Sequence, residues 1–101
     1  MKYAVIISDR AKQMLGQHIR FLAQVNKKAA VELKQRFLEE FRALETFPQR
    51  YPFFEAAFIP PNKYHKLAVK NWFLVLYQIK DDIVYIDWLL DCRKEYTWLI
   101  E

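Results

Sequence analysis

The chain has 101 residues and a net charge of +4, with 53% hydrophobic and 17% aromatic residues. That length holds one domain around one core, and so apolar a composition excludes a disordered protein. A single cysteine, Cys92, excludes an internal disulfide framework, and no apolar run reaches the roughly 18–20 residues that cross a bilayer. The opening MKYAVIISDR is too briefly apolar for a signal peptide, so the expectation is a cytoplasmic protein in a reducing compartment. The positive balance fits nucleic acid, an acidic protein partner, or neither.

Tyr3–Ser8 alternates as a short strand, Tyr3, Val5 and Ile7 against Ala4 and Ile6. Ser8 reads as an N-cap with Asp9 in the first turn behind it. From there Ala11, Leu15, His18, Ile19 and Leu22 recur at helical spacing. Gly16, the only glycine, falls inside this helix and predicts close packing there. Asn26 breaks and caps, and a second helix is expected from about Lys27 to Phe47. Its stripe is Ala30, Leu33, Phe37, Phe41 and Leu44, with Glu32–Arg36 and Arg36–Glu40 as surface pairs. Pro48 ends it.

All four prolines lie between residues 48 and 61, among Tyr51, Phe53, Phe54 and Phe58, which predicts a loop pinned by aromatics. Three strand candidates follow: Tyr64–Lys70, Trp72–Ile79 and Ile83–Leu90. The second is apolar at nearly every position, as a strand covered on both faces would be. Lys80, Asp81 and Asp82 make a hairpin turn between the last two. The expected fold is therefore α+β, a small single domain over 1–101 ordered β-α-α-β-β-β. A helical hairpin packs on an antiparallel-rich sheet.

The first of these strands alternates cleanly. His65, Leu67 and Val69 point one way; Tyr64, Lys66, Ala68 and Lys70 point the other. With the apolar set against the helices, the second sheet face carries Tyr64, Lys66 and Lys70. Arg93 and Lys94 beyond the last strand could join them. Cations and aromatics on a sheet suit phosphate contacts and base stacking, although lysines on an exposed face also read as ordinary solvated residues. His18 and His65 read as structural, and no metal-ligand spacing or phosphate-cradling glycine loop is present, so neither metal nor cofactor is expected. Cys92 reads as a small buried hydrophobe. Asp87, inside a strand, requires a partner, expected to be a Lys or Arg of a neighbouring strand. Trp98, Leu99 and Ile100 are expected to pack.

Element order and strand texts together resemble the RelE/ParE family of bacterial type II toxin–antitoxin toxins. The segments that carry the likeness are LETFPQRYP, Lys66-Leu67, Phe73-Leu74-Val75-Leu76-Tyr77, and Asp91-Cys92-Arg93-Lys94-Glu95-Tyr96. The resemblance implies a growth-arresting toxin with a cognate antitoxin as partner. RelE-like members cut mRNA on the ribosome; on that branch the matching catalytic positions are Lys66, Lys70, Arg93 and Tyr96. ParE-like members act on DNA gyrase, and Tyr64, Lys66, Lys70, Arg93 and Lys94 become target-binding candidates. RelE-like sequences tend to carry an arginine near the start of the central strand, where this chain has Trp72-Phe73-Leu74-Val75. Losing a preorganised phosphate donor costs a few kcal/mol in a transition state, which tilts the expectation to the ParE-like, target-binding branch. A toxin-fold relative that binds a partner without toxicity is the third reading.

Overall fold

A computed structural model describes residues 2–57, 59–70 and 73–91. Strand β1 (Ala4–Ile7) leads into helix α1 (Asp9–Val25), then α2 (Lys27–Ala43), a 3₁₀ turn (Pro48–Arg50), and strands β2 (His65–Val69), β3 (Phe73–Lys80) and β4 (Ile83–Asp91). The sheet order is β1-β4-β3-β2, with β1 parallel to β4 and the other pairs antiparallel. Both helices cover one face.

Capping sets the helix boundaries. Ser8 Oγ accepts from the Ala11 N–H at 3.0 Å. Asn26 ends α1 and starts α2, its Oδ1 accepting from the Ala29 N–H at 3.0 Å. One residue thereby satisfies orphan backbone groups of two helices. Arg36 pairs with Glu40 at 3.3 Å on the wet side. Helix α2 stops at Ala43 rather than at Phe47, because Phe47 takes the left-handed conformation with φ 55°. No glycine supplies that turn. Arg50 reaches back to the carbonyls of Ala43, Thr46 and Phe47, adding its guanidinium to the backbone bonds that Ala43 and Phe47 already accept from Thr46 and Arg50 N–H.

The main core lies between the helices and the sheet. Leu33, Phe37, Phe41 and Leu44 of α2 meet Leu67, Val69, Phe73, Val75, Tyr77, Val84, Ile86 and Leu89, with Ala11, Leu15 and Ile19 closing from α1. The α2 stripe read from the sequence is the buried one, whereas on α1 only Ala11 is buried and Leu15, His18, Ile19 and Leu22 are half-buried. Gly16 departs from expectation: a Cβ there would meet only the Arg20 side chain, its Nη1 at 3.1 Å, so no other element packs close. Gly16→Ala is accordingly expected to stabilise the fold by about 0.5–1 kcal/mol, as helix propensity dictates once a flexible arginine has moved aside. Urea unfolding measures it; a loss of stability would mean that Arg20 cannot move.

Tyr77 is fully enclosed on β3, and its hydroxyl donates to the Pro48 carbonyl at 2.7 Å, tying the proline-rich loop to the sheet. Burial pushes its pKa well above the ordinary tyrosine value. Above about pH 10 the unfolded chain ionises this phenol while the folded chain does not, so stability falls as pH rises. Tyr77→Phe is expected to cost about 1–3 kcal/mol at neutral pH, because the buried carbonyl loses its donor. It should also flatten the alkaline fall. Chemical denaturation at pH 7 and pH 10.5 reads both effects, and an unchanged alkaline limb would contradict them.

Candidate binding face of the sheet

The strand alternation holds on β2 and β3. Leu67 and Val69 face the helices; Tyr64, Lys66 and Ala68 face the other way, beside Leu74 and Leu76 of β3. On β4 it changes midway. Leu76 pairs with Trp88 but Tyr77 pairs with Ile86, so Asp87 is the extra residue of a β-bulge. The bulge resets the pleat. Val84, Ile86 and Leu89 enter the helix-side core, whereas Trp88 and Leu90 join the second face.

Freed from the ladder, the Asp87 carbonyl accepts from Ser8 Oγ at 3.1 Å and from Arg10 Nε at 3.2 Å. The Arg10 guanidinium lies over the Trp88 ring, 3.5 Å from its centroid. The Asp87 carboxylate takes its hydrogen bond from Gln78 Nε2 at 2.7 Å. This corrects the expected Lys or Arg partner: the bulge leaves the carboxylate beside a β3 amide, and the nearby arginine takes the backbone oxygen instead.

The loop covers part of this face. Residues 52–54 run beside β2, with Lys66 N–H donating to Pro52 O at 2.9 Å and Phe54 N–H to Tyr64 O at 2.7 Å. Phe54, Ala56 and Ile59 then pack against Tyr64, Leu74 and Leu76. The aromatics pin the loop at three points: Tyr51 packs against the main core, Phe53, 38% exposed, lays its ring against His65, and Phe54 packs with Tyr64, while Phe58 lies outside the described residues. Next to this cover an open pocket of about 360 Å³ is lined by Tyr51, Pro52, Lys66, Ala68 and Leu74.

The candidate residues are thus placed unequally. Lys66 is half-buried at the pocket. Tyr64 is only 8% exposed, its ring under the loop with Lys63 Nζ 5.4 Å from the centroid. Lys70 is exposed but lies past the end of β2 with φ 53°, so the strand's alternation no longer aims it. Arg93, Lys94 and Tyr96 lie outside the described residues, as do Trp72, Cys92, Trp98, Leu99 and Ile100.

Neither histidine lies on this face. His65 is stacked between Phe53 and Tyr77, centroids 4.2 and 5.2 Å away, with Nδ1 2.7 Å from the Tyr51 carbonyl. His18 meets the Phe73 ring edge at 5.0 Å and lies 3.8 Å from Asp91. Among the described residues no group of three or more His, Cys, Asp or Glu side chains could hold a metal ion. The described face presents a half-buried lysine at a pocket and an arginine laid on tryptophan, with Leu74 and Leu76 between them packed under the loop. Sequence reasoning missed Arg10, Gln78 and Trp88; the one signal was the polar Asp87 inside IVYIDWLL, where a bulge resets the faces.

A family model described as the ParE toxin of type II toxin-antitoxin system, parDE, matches residues 5–96. No curated protein matches the sequence. Among solved structures the chain is similar to one described as the chromosomal ParDE TA system from P. aeruginosa, with a TM-score of 0.72 and 13% sequence identity, over 89% of this chain and 96% of that one. At that identity the likeness is one of fold.

Proposed function

The chain belongs to the ParE family, the toxins of type II toxin–antitoxin systems, and we propose that it arrests growth by binding DNA gyrase rather than by cutting RNA. The observation that carries this reading is the second sheet face. RNA cleavage requires a base for the 2′-hydroxyl, cations for the phosphate and an acid for the leaving oxygen. The described face offers a single lysine, Lys66, at an open pocket whose other lining residues are Tyr51, Pro52, Ala68 and Leu74, a surface suited to docking a folded target. Leu74 and Val75, where a RelE-like phosphate arginine is expected, are buried instead. Lys66 and Lys70, with Arg93 and Lys94, are proposed to contact the target, Tyr64 holding the loop that frames Lys66.

The same reading implies a cognate antitoxin, an acidic protein whose binding silences the chain, and a cytoplasmic site of action. Among the described residues no helix is long and apolar enough to cross a membrane.

Induced expression in a bacterial host, with growth followed alongside 5′-end mapping of mRNA, tests the reading. Arrest with intact mRNA is expected. Arrest with new codon-phased 5′ ends, lost in Lys66→Ala or Arg93→Ala, would replace it with the ribosome-dependent mRNA endonuclease. Undisturbed growth would leave a partner-binding relative without toxicity.

A further inference from the structure

Single apolar side chains stand exposed on most protein surfaces and call for no explanation. Phe47 differs in its backbone. It is 61% exposed and takes the left-handed conformation, φ 55° and ψ 61°. The other described residues with positive φ are Asn62, Lys70 and Asp81, so Phe47 is the only bulky apolar one. The conformation crowds a Cβ against the carbonyl oxygen that follows it, and glycine or asparagine adopts it more easily. The ring belongs to neither core cluster, so burial does not offset the strain. A strained residue that the packing does not use points to a role outside the fold.

The surrounding backbone holds the ring out on a fixed support. Leu44 before it and Pro48 after it are fully buried. The Phe47 carbonyl accepts from Arg50 Nε at 3.0 Å and from the Arg50 N–H at 3.3 Å, and the Pro48 carbonyl accepts from the Tyr77 hydroxyl at 2.7 Å. A ring on so fixed a support has little freedom left to lose on binding.

Phe47 also continues the surface proposed to contact the target. The Arg50 guanidinium carbon is 5.9 Å from the ring centroids of both Phe47 and Tyr51, and Tyr51 lines the pocket at Lys66. Aromatic, arginine, aromatic is the make-up of a hot spot between proteins. A nucleic acid is the poorer fit. Arg50 is engaged by the carbonyls of Ala43, Thr46 and Phe47. The Tyr51 hydroxyl donates to the Glu40 carboxylate at 3.5 Å, which sets a negative charge where a phosphate would approach.

We infer that Phe47 is an anchor residue for the protein target, its ring entering an apolar pocket of gyrase while Lys66 docks beside it. The inference rests on the proposed gyrase reading.

The test pairs thermal melting of the purified chain with its inhibition of gyrase supercoiling. Phe47→Gly relieves the backbone and removes the ring. Its melting temperature should rise by about 4–8 °C, while the concentration that half-inhibits gyrase rises at least about 30-fold. Phe47→Ala keeps the left-handed strain and loses the ring, so it should show the same loss of inhibition without the gain in melting temperature. Calorimetric binding of the antitoxin, the protein whose co-expression restores growth, should stay within about threefold of wild type for both. Inhibition by both variants within about threefold of wild type would overturn the anchor and leave the gyrase reading standing. A melting temperature that falls in both would overturn it as well, since the ring would then serve the fold. Antitoxin binding lost while inhibition is kept, or a defect confined to binding oligouridylate, would also overturn it. A wild-type chain that leaves gyrase supercoiling untouched would remove the gyrase reading itself, and the inference with it.

Discussion

Phe37→Ala is expected to destabilise the protein by about 3–5 kcal/mol, the usual cost of truncating an enclosed phenylalanine. Phe37 is 0% exposed and stands at the centre of the helix-side core. Its ring meets Phe73 of β3 edge-on at 5.4 Å and Phe41, one helical turn on, at 5.8 Å. It joins α2 to the middle of the sheet, so its loss opens a cavity that neither layer can collapse into alone. A loss of that size is a large share of the 5–15 kcal/mol that holds a domain of this kind together. Urea denaturation followed by circular dichroism measures it. A cost below about 1 kcal/mol would mean that the helices repack over the sheet more freely than interdigitated phenylalanines allow.

Deleting Tyr85 is expected to be worse, and for a different reason. A strand's side chains alternate with a period of two, so removing one residue from a regularly paired stretch sends its neighbours to the opposite face. Whichever half of β4 shifts, Val84 or Ile86, both enclosed against the helices, turns out to the second face. If the Ile86 side gives way, Asp87 is carried in opposite Tyr77. Loss of an enclosed aliphatic side chain with a carboxylate or misplaced residue in its space exceeds about 4 kcal/mol, so this deletion should leave the chain unfolded or molten at 25 °C. Deleting Asp87 instead removes only the extra residue of the bulge: Ile86, Trp88 and Leu89 stay opposite Tyr77, Leu76 and Val75, and the losses are the carbonyl that holds Ser8 and Arg10 and the Gln78 hydrogen bond. Near-ultraviolet circular dichroism separates the two. A native tertiary signal kept on deleting Tyr85 and lost on deleting Asp87 would show that Asp87 is not the residue that resets the faces of β4.

That contrast marks where the sequence was legible. The helix stripes, both caps and the doubly covered central strand could be read because each rests on local spacing or on one residue's own chemistry. Lys80 pairs with Ile83 across the Asp81-Asp82 turn, as the polar break foretold. The parallel pairing of β1 with β4 could not be read, since two residues so distant in sequence carry no local sign of register. From the sequence the second face is expected to be cationic and aromatic, because Tyr64, Lys66 and Lys70 alternate onto it with Arg93 and Lys94 beyond the last strand. On the described part it is mostly aliphatic, and Tyr64 is under the loop. Arg10 escaped notice because a basic residue in a first helical turn looks solvated until the bulge brings Trp88 beneath it. Asp87 was seen as an anomaly, yet its expected cation was replaced by an amide because a bulge, not a regular pleat, sets its neighbours.

The central claim is that the chain arrests growth through gyrase. Purified chain, gyrase, ATP and relaxed plasmid test it most directly, with supercoiling and DNA cleavage read on the same gel. Loss of supercoiling with accumulation of protein-linked, cleaved DNA is the predicted result, reversed by adding the antitoxin. Full supercoiling at a large molar excess of a chain that still arrests growth in cells would contradict it.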